Sequence, residues 1–190
     1  MPRLKRIYPK DMSPEQLDFY NTVRNRPTYS GVPAESPLVG PSSYYQRSVP
    51  YGLHKNAISN YLRQDSLLPP QLRELTILTI CRMWNASYAF CEHERIATRE
   101  GVNKDVIAAI RNGKTPEFDN QDQAAIYGFV RKVIEEKGVD DETYQATYDV
   151  LGEALLVELI GLCGHYVTAA ITLNVFEEPV RDGDVPLPRE

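Results

Sequence analysis

The stretch from Ala154 to Phe176 constrains this chain more than any other, because it is almost wholly apolar and long enough to cross a bilayer. It also holds Glu158, His165 and Asn174, two glycines and several small residues. A carboxylate and an imidazole inside hydrocarbon are expensive. The expected form is therefore a helix buried in a water-soluble oligomer, with no membrane partner. Glu158 and His165 share one face of that helix, and Gly161 between them leaves room for a close backbone approach. They are expected to form a buried ion pair or a subunit contact, or to support a nearby site from behind.

Helix punctuation fills most of the remaining text. Ser13-Pro14-Glu15-Gln16 is a capping box with proline at the first helical position, opening a helix that stops before Arg26-Pro27. His54 to Arg63 forms a short helix, and Pro69-Pro70 starts one running to about Trp84. Asn85 and Ser87 offer caps for another that ends at Gly101. Asn103 and Gly113 bracket a short helix, and Asn120 with Gln123 caps a long one that Gly138 ends. Asp140 or Asp141 begins a helix reaching Gly152, after which the apolar helix runs to about Phe176. No strand-like alternation persists, so the fold class is all-α.

Between Arg26 and Leu53 the chain is rich in Pro, Ser, Gly and Tyr and has no usable period. It is too long for a plain connector. Two readings stand: an ordered cover over a pocket or contact, with Tyr44, Tyr45 and Tyr51 supplying buried area, or a surface loop. The ends, residues 1–12 and 177–190, are expected to be loose.

One domain is the natural expectation for 190 residues. A net charge of −5, with basic residues scattered, argues against a nucleic-acid partner or an anionic membrane surface. Cys81, Cys91 and Cys163 are odd in number and each falls in an apolar helical segment, so they read as reduced thiols in a cytoplasmic setting. Residues Met1 to Asp11 are charged, so no secretory signal is expected. Three histidines with no HxH, HExxH or CxxC give no metal motif. No phosphate loop is present either, and no cofactor is expected.

Glu74 and His93 stand out because each sits in an apolar helical stripe, and burying an ionisable group costs free energy unless a partner or a task offsets it. Glu74 shares a face with Ile77, Leu78 and Cys81. His93 shares one with Ala86, Ala89, Phe90, Ile96 and Ala97. Each alone has a bland account: a carboxylate near a helix N-terminus, and a satisfied core histidine. As a pair they suggest one carboxyl and one imidazole meeting from consecutive helices. Cys91, two residues from His93, leaves the helix about 200° around from it, so a thiol–imidazole dyad is not expected.

Leu68-Pro69-Pro70-Gln71-Leu72-Arg73-Glu74-Leu75, then Trp84-Asn85-Ala86-Ser87-Tyr88, His93 and Ile96-Ala97, resemble the carboxymuconolactone decarboxylase family, which includes the alkylhydroperoxidase-D-like proteins. Leu156 to Ile160 and Thr172 to Phe176 are similar to that family's closing helix, so the resemblance covers about residues 50–176. It implies an alkylhydroperoxidase-D-like helical bundle that associates as a homo-oligomer, a trimer or hexamer. The near-continuous apolar face of Leu155 to Phe176 suits such an assembly.

The family's peroxidase branch carries Cys-x-x-Cys-x-x-x-His with a glutamate upstream. Here the cysteine positions fall on Ala86 and Ala89, the histidine on His93 and the glutamate on Glu74. Cys91 lies about 140° around the helix from Ala86 and does not replace the missing thiols, so thiol peroxidase chemistry is the least favoured reading.

The resemblance instead implies a cofactor-independent lyase that decarboxylates or isomerises a small unsaturated lactone or keto acid. Its catalytic residues would be His93 as acid or shuttle, Glu74 as its orienter or itself the acid, and Tyr88 as an oxyanion donor. Trp84, Cys91 and His165 are expected in the substrate pocket or supporting it. The alternative is a non-catalytic helical oligomer in which Glu74 and His93 form a structural pair. A cavity reaching both side chains discriminates the two.

Overall fold

The computed structural model of the protein describes residues 2–26 and 29–188, and within them the fold is all-helical. Pro27 and Thr28 of the irregular insert, and Met1, Arg189 and Glu190 of the two tails, lie outside the described residues.

Helix α1 (Pro14–Arg24) opens with the expected capping box: Ser13 Oγ accepts from the Gln16 amide at 3.2 Å, and the Gln16 side chain accepts from the Ser13 amide. The insert contains a single helical turn, α2 (Ser42–Tyr45), which its composition does not announce. Helix α3 (Val49–Asn60) starts earlier than expected, because Pro50 sits in its first turn where a missing amide costs nothing. It continues into a π-helical turn, Tyr61–Asp65.

Pro70 then begins α4 (Pro70–Met83), followed by α5 (Ser87–Arg99). Helix α5 has Ala86 as its N-cap, with no side-chain cap. Asn85 instead takes a left-handed conformation between the helices, and Ser87 Oγ accepts from the Leu187 amide at 3.1 Å. Asn103 and Asn120 cap α6 (Lys104–Arg111) and α7 (Gln121–Glu136) as their spacing implies. Asp140 caps α8 (Asp141–Val175), and a positive-φ break at Gly152 divides this long helix where the sequence places a stop.

Helix α4 is the centre of the molecule and packs against α5, α6, α7 and α8. Its buried run from Glu74 to Arg82 is enclosed on several faces, which is why no simple one-face stripe marks it. Helix α8 is apolar and long enough to span a membrane by length and composition alone. Within the fold its Leu159, Leu162, Cys163, Tyr166, Ala170 and Leu173 enter the main core.

A second, smaller apolar cluster joins Phe19, Tyr20 and Val23 of α1 to Tyr29 and Leu38 of the insert. The insert is thus ordered packing: Tyr20 Oη also donates to the Ser36 carbonyl at 2.8 Å, and Tyr44 stacks on Phe176 at 4.5 Å. Tyr51 departs from expectation, for it stays largely exposed with its ring edge-on to Tyr45.

Among the described residues the terminal segments make specific contacts with the rest of the fold. Arg3 donates its amide to the Phe176 carbonyl at 2.9 Å, and Arg6 forms a two-pronged ion pair with the buried Glu178 carboxylate at 2.7 and 2.8 Å. Glu178 also receives Tyr44 Oη and the Gly40 amide, so one carboxylate ties the N-terminus, the insert and the C-terminal segment together. Further on, Arg181 pairs with Glu92, Asp184 pairs with Arg95, and Leu187 is buried.

Candidate active site

Helices α4 and α5 bring Glu74 and His93 together, with His93 Nδ1 2.7 Å from Glu74 Oε2. Glu74 is 2 % exposed and His93 7 %. Arg73 turns back along α4 to place Nε 3.3 Å from the other Glu74 oxygen. Burial alone would push the Glu74 carboxyl up, but the charge and hydrogen bond of His93, joined by the Arg73 guanidinium, hold it below the usual carboxylate range. An ionised Glu74 accepts, so the proton on His93 lies at Nδ1 and Nε2 is free to exchange one.

Nε2 faces Tyr166 of α8, whose hydroxyl is 3.2 Å away, with the two rings edge to face at 5.0 Å. Burial raises the Tyr166 phenol well above its ordinary value, so it stays protonated and donates to Nε2 in the resting protein. The result is a continuous chain, Tyr166–His93–Glu74–Arg73, drawn from three helices. Tyr166 is not among the residues singled out by sequence. Its only signal there is a hydroxyl inside an apolar helix, which needs a partner once buried.

The His93–Tyr166 end of this chain opens on a cavity of about 130 Å³ at the seam between the two apolar clusters. Phe19, Tyr29, Val39 and Tyr45 wall one side, and Tyr88, His93, Tyr166 and Ala169 the other. The Arg26–Leu53 insert is therefore a cover over the site. Gly40 lies so close that a Cβ there would stand 2.8 Å from Tyr88 Cε1, and its φ of +63° suits glycine. Burial raises the Tyr88 phenol as well, keeping it a donor at neutral pH.

Of the residues expected in or behind the pocket, His165 lines it, and Trp84 and Cys91 do not. Trp84 ends α4, packs on the main core and accepts from Asn174 through its carbonyl. Cys91 points to the far side of α5, as helical rotation requires, where it donates to the Val185 carbonyl at 3.4 Å with Arg111 3.8 Å away. Burial outweighs Arg111 and raises its thiol pKa. Glu74 does not reach the cavity surface, and acts behind His93. The expected Glu158–His165 pair is absent. Glu158 instead accepts from Tyr61 and Ser66, and His165 Nδ1 takes a hydrogen bond from Lys55 Nζ at 3.2 Å.

All three cysteines are buried and unpaired, and none lines the cavity. Among the described residues, no three of His, Cys, Asp and Glu converge as a metal-ligand group. The polar groups facing the cavity are mostly imidazole, phenol, ammonium and guanidinium, with the Glu92 carboxylate, the Asn56 amide and the Ser42 and Ser59 hydroxyls beside them, set in apolar walls.

No protein-family model and no curated protein sequence matches the chain. Solved structures do. A protein of unknown function from Agrobacterium tumefaciens, a candidate antioxidant defence protein of the AhpD type, superposes with a TM-score of 0.65 at 18 % identity, covering 73 % of this chain and 95 % of its own. The debrominase Bmp8, as a cysteine-to-alanine variant in complex with 2,3,4-tribromopyrrole, gives a TM-score of 0.70 at 14 % identity over 95 % of this chain and 91 % of its own. Apo Bmp8 gives 0.68 at 13 % identity, covering 93 % and 91 %. These likenesses establish architecture: the chain has the alkylhydroperoxidase-D-like fold.

Proposed function

We propose that the cavity is the active site of a cofactor-independent acid–base lyase or isomerase acting on a small unsaturated lactone or keto acid. The observation that carries this reading is the Tyr166–His93–Glu74 chain, buried at its Glu74 end and open to a cavity at its His93 end. A structural pair closed over by packing has no need of that opening.

In the proposed step the scissile or ionising bond of the substrate gives its electron pair to the conjugated carbonyl system, so the substrate serves as its own electron sink. Tyr88 donates to the oxygen on which charge develops. His93 Nε2, unprotonated at rest, takes a proton from the ionising C–H bond in an isomerisation, or from solvent in a decarboxylation, and delivers it to carbon, while Tyr166 keeps its own proton and orients the ring. Glu74 stabilises the imidazolium and fixes the ring so that Nε2, not Nδ1, faces the substrate. A positioned donor of this kind contributes roughly 10²–10⁴-fold. The same family resemblance that suggests the carboxymuconolactone decarboxylase chemistry supports this choice, as does a fold that houses a debrominase.

The protein is further proposed to act as a homo-oligomer, trimer or hexamer. On α8 Val157, Ile160, Ile171 and Val175 remain substantially exposed, and with Gly161 and Gly164 they form an apolar face that a second copy would cover. Light scattering giving a mass above that of one chain supports this assembly.

The test of the reaction is a panel of carboxylated lactones and β-keto acids, assayed for CO₂ release and for shifts in conjugated absorbance. The reading predicts turnover of at least one member that His93→Gln lowers about 10²–10⁴-fold. Turnover indifferent to His93 would defeat it.

A further inference from the structure

We propose that Arg26, Lys55 and Arg63 form a subsite for a substrate carboxylate that is retained, not expelled, by the chemistry at His93. This rests on the reading of the cavity as the reaction site.

All three cations line the same cavity as His93 and Tyr166. Lys55 is only 8 % exposed, and its one hydrogen-bond partner among the described residues is the His165 ring. Arg26 is aimed by two amides one helical turn apart on α3: its Nε donates to Asn60 Oδ1 at 3.1 Å and a terminal nitrogen donates to Asn56 Oδ1. These amides orient the guanidinium and leave its charge in place. The π-helical turn Tyr61–Asp65 carries Arg63 to the same wall. Such turns recur where a side chain is re-aimed for function.

None of the three forms an ion pair with a carboxylate among the described residues. Glu92 is the one carboxylate lining the cavity, and it is already paired with Arg95 and Arg181. Three positive charges held together out of water repel one another and lose hydration. The cost is visible in the groups themselves. Burial lowers the pKa of Lys55, and burial together with Arg63 lowers that of Arg26. His165 is pushed down to about 3 by burial and then by Lys55, Arg26 and Arg63, which keeps it a neutral acceptor for Lys55. A fold that bears this repulsion in a pocket has a use for an anion there.

The chemistry of the anion follows from where the charges stand. A carboxylate held by two guanidinium groups and an ammonium is stabilised as a carboxylate, so losing it as CO₂ would forfeit those contacts and raise the barrier. The same charges favour negative charge spreading into an adjacent carbonyl system. The substrate therefore carries two handles: a permanent carboxylate seated on Arg26, Lys55 and Arg63, and a second group that reacts beside His93 and Tyr166. A planar carboxylate also suits the guanidinium fork.

Isothermal titration calorimetry on the full chain with adipate, dimethyl adipate and inorganic phosphate tests this without turnover. Adipate should bind the wild type, the diester should not, and phosphate should bind more weakly than adipate. Lys55→Met and Arg63→Met should each weaken adipate about 10–100-fold, as expected for loss of a charged hydrogen bond. Arg63 is only half buried, so Arg63→Met decides the matter if Lys55→Met does not fold. Absence of adipate binding, equal binding of the diester, tighter binding of phosphate, or unchanged affinity in folded Arg63→Met would each overturn the proposal. Adipate binding that Arg63→Met weakens, in a chain that turns over no lactone or keto acid, would count against the acid–base reaction alone, so a failed reaction and a failed anion subsite give different results.

Discussion

Tyr166 Oη stands 3.2 Å from His93 Nε2, the nitrogen left open once Glu74 has taken the Nδ1 proton. The imidazole is thereby held between a base and a phenol on opposite edges, oriented in one tautomer, with the phenol edge toward the cavity. That arrangement is what the proposed proton transfer requires, and the predictions below follow from it and from the insert that covers it.

Glu74→Gln should lower stability at neutral pH by about 1.5–3 kcal/mol, the usual value of a hydrogen bond to a charged group. Because the folded-state pKa of Glu74 lies below its ordinary 4.5, its contribution is present above pH 4.5 and lost as pH falls through the lower folded value. Urea titrations from pH 7 to pH 3 should therefore show the wild-type advantage over Glu74→Gln shrinking on acidification. A gap independent of pH would mean that Glu74 is not ionised in the fold.

His165 gives a second pH signature in a different window. Its folded-state pKa of about 3 lies below its ordinary 6.5, so between those values the unfolded chain binds a proton that the folded one does not. Stability then rises with pH across that range and is lost on acidification. His165→Asn, which can present an oxygen to Lys55, should flatten this part of the profile in thermal melts taken from pH 7 to pH 4.

Gly40→Ala should destabilise the protein by about 1–2 kcal/mol from its left-handed backbone alone. Its new Cβ would also meet Tyr88 Cε1 at 2.8 Å. Differential scanning calorimetry checks the first effect. A changed Tyr88 ring environment in NMR checks the second, which an ordinary turn glycine would not produce.

Glu178→Gln removes the charge that gathers Arg6, Tyr44 and the Gly40 amide. A loss of about 1.5–3 kcal/mol is expected, together with faster limited proteolysis between residues 29 and 48. Equal proteolysis rates in the two proteins would show that the insert is held by its apolar cluster alone.

Most of the helices, and four of their caps, were legible in the sequence because capping is local: Ser13, Asn103, Asn120 and Asp140 each act on an amide two or three residues away, whereas the expected caps of α5 were not used. Glu74 and His93 were legible because helical spacing alone sets each on an apolar face. The rest depended on contacts between distant segments. Lys55 and Arg63 carry no signal of their own in the sequence, because the π-turn and α8 that set them in the cavity wall come together only in the fold. His165 was assigned to Glu158 because seven residues return a helix to the same face, but Tyr61 and Ser66 reach that carboxylate first. The tails lacked any period, yet Glu178 and Leu187 each find a specific partner.

Incorporation of solvent deuterium into carbon is the most direct measurement of the proton transfer proposed at His93. The wild type, His93→Gln and Tyr166→Phe would be incubated in D₂O with the panel of β-keto acids and carboxylated lactones, and the products read by mass spectrometry and NMR. The account predicts one deuteron placed at a single carbon by the wild type, slowed about 10²–10⁴-fold in His93→Gln and less in Tyr166→Phe. Incorporation at wild-type rate in His93→Gln, or none with any member of the panel, would contradict it.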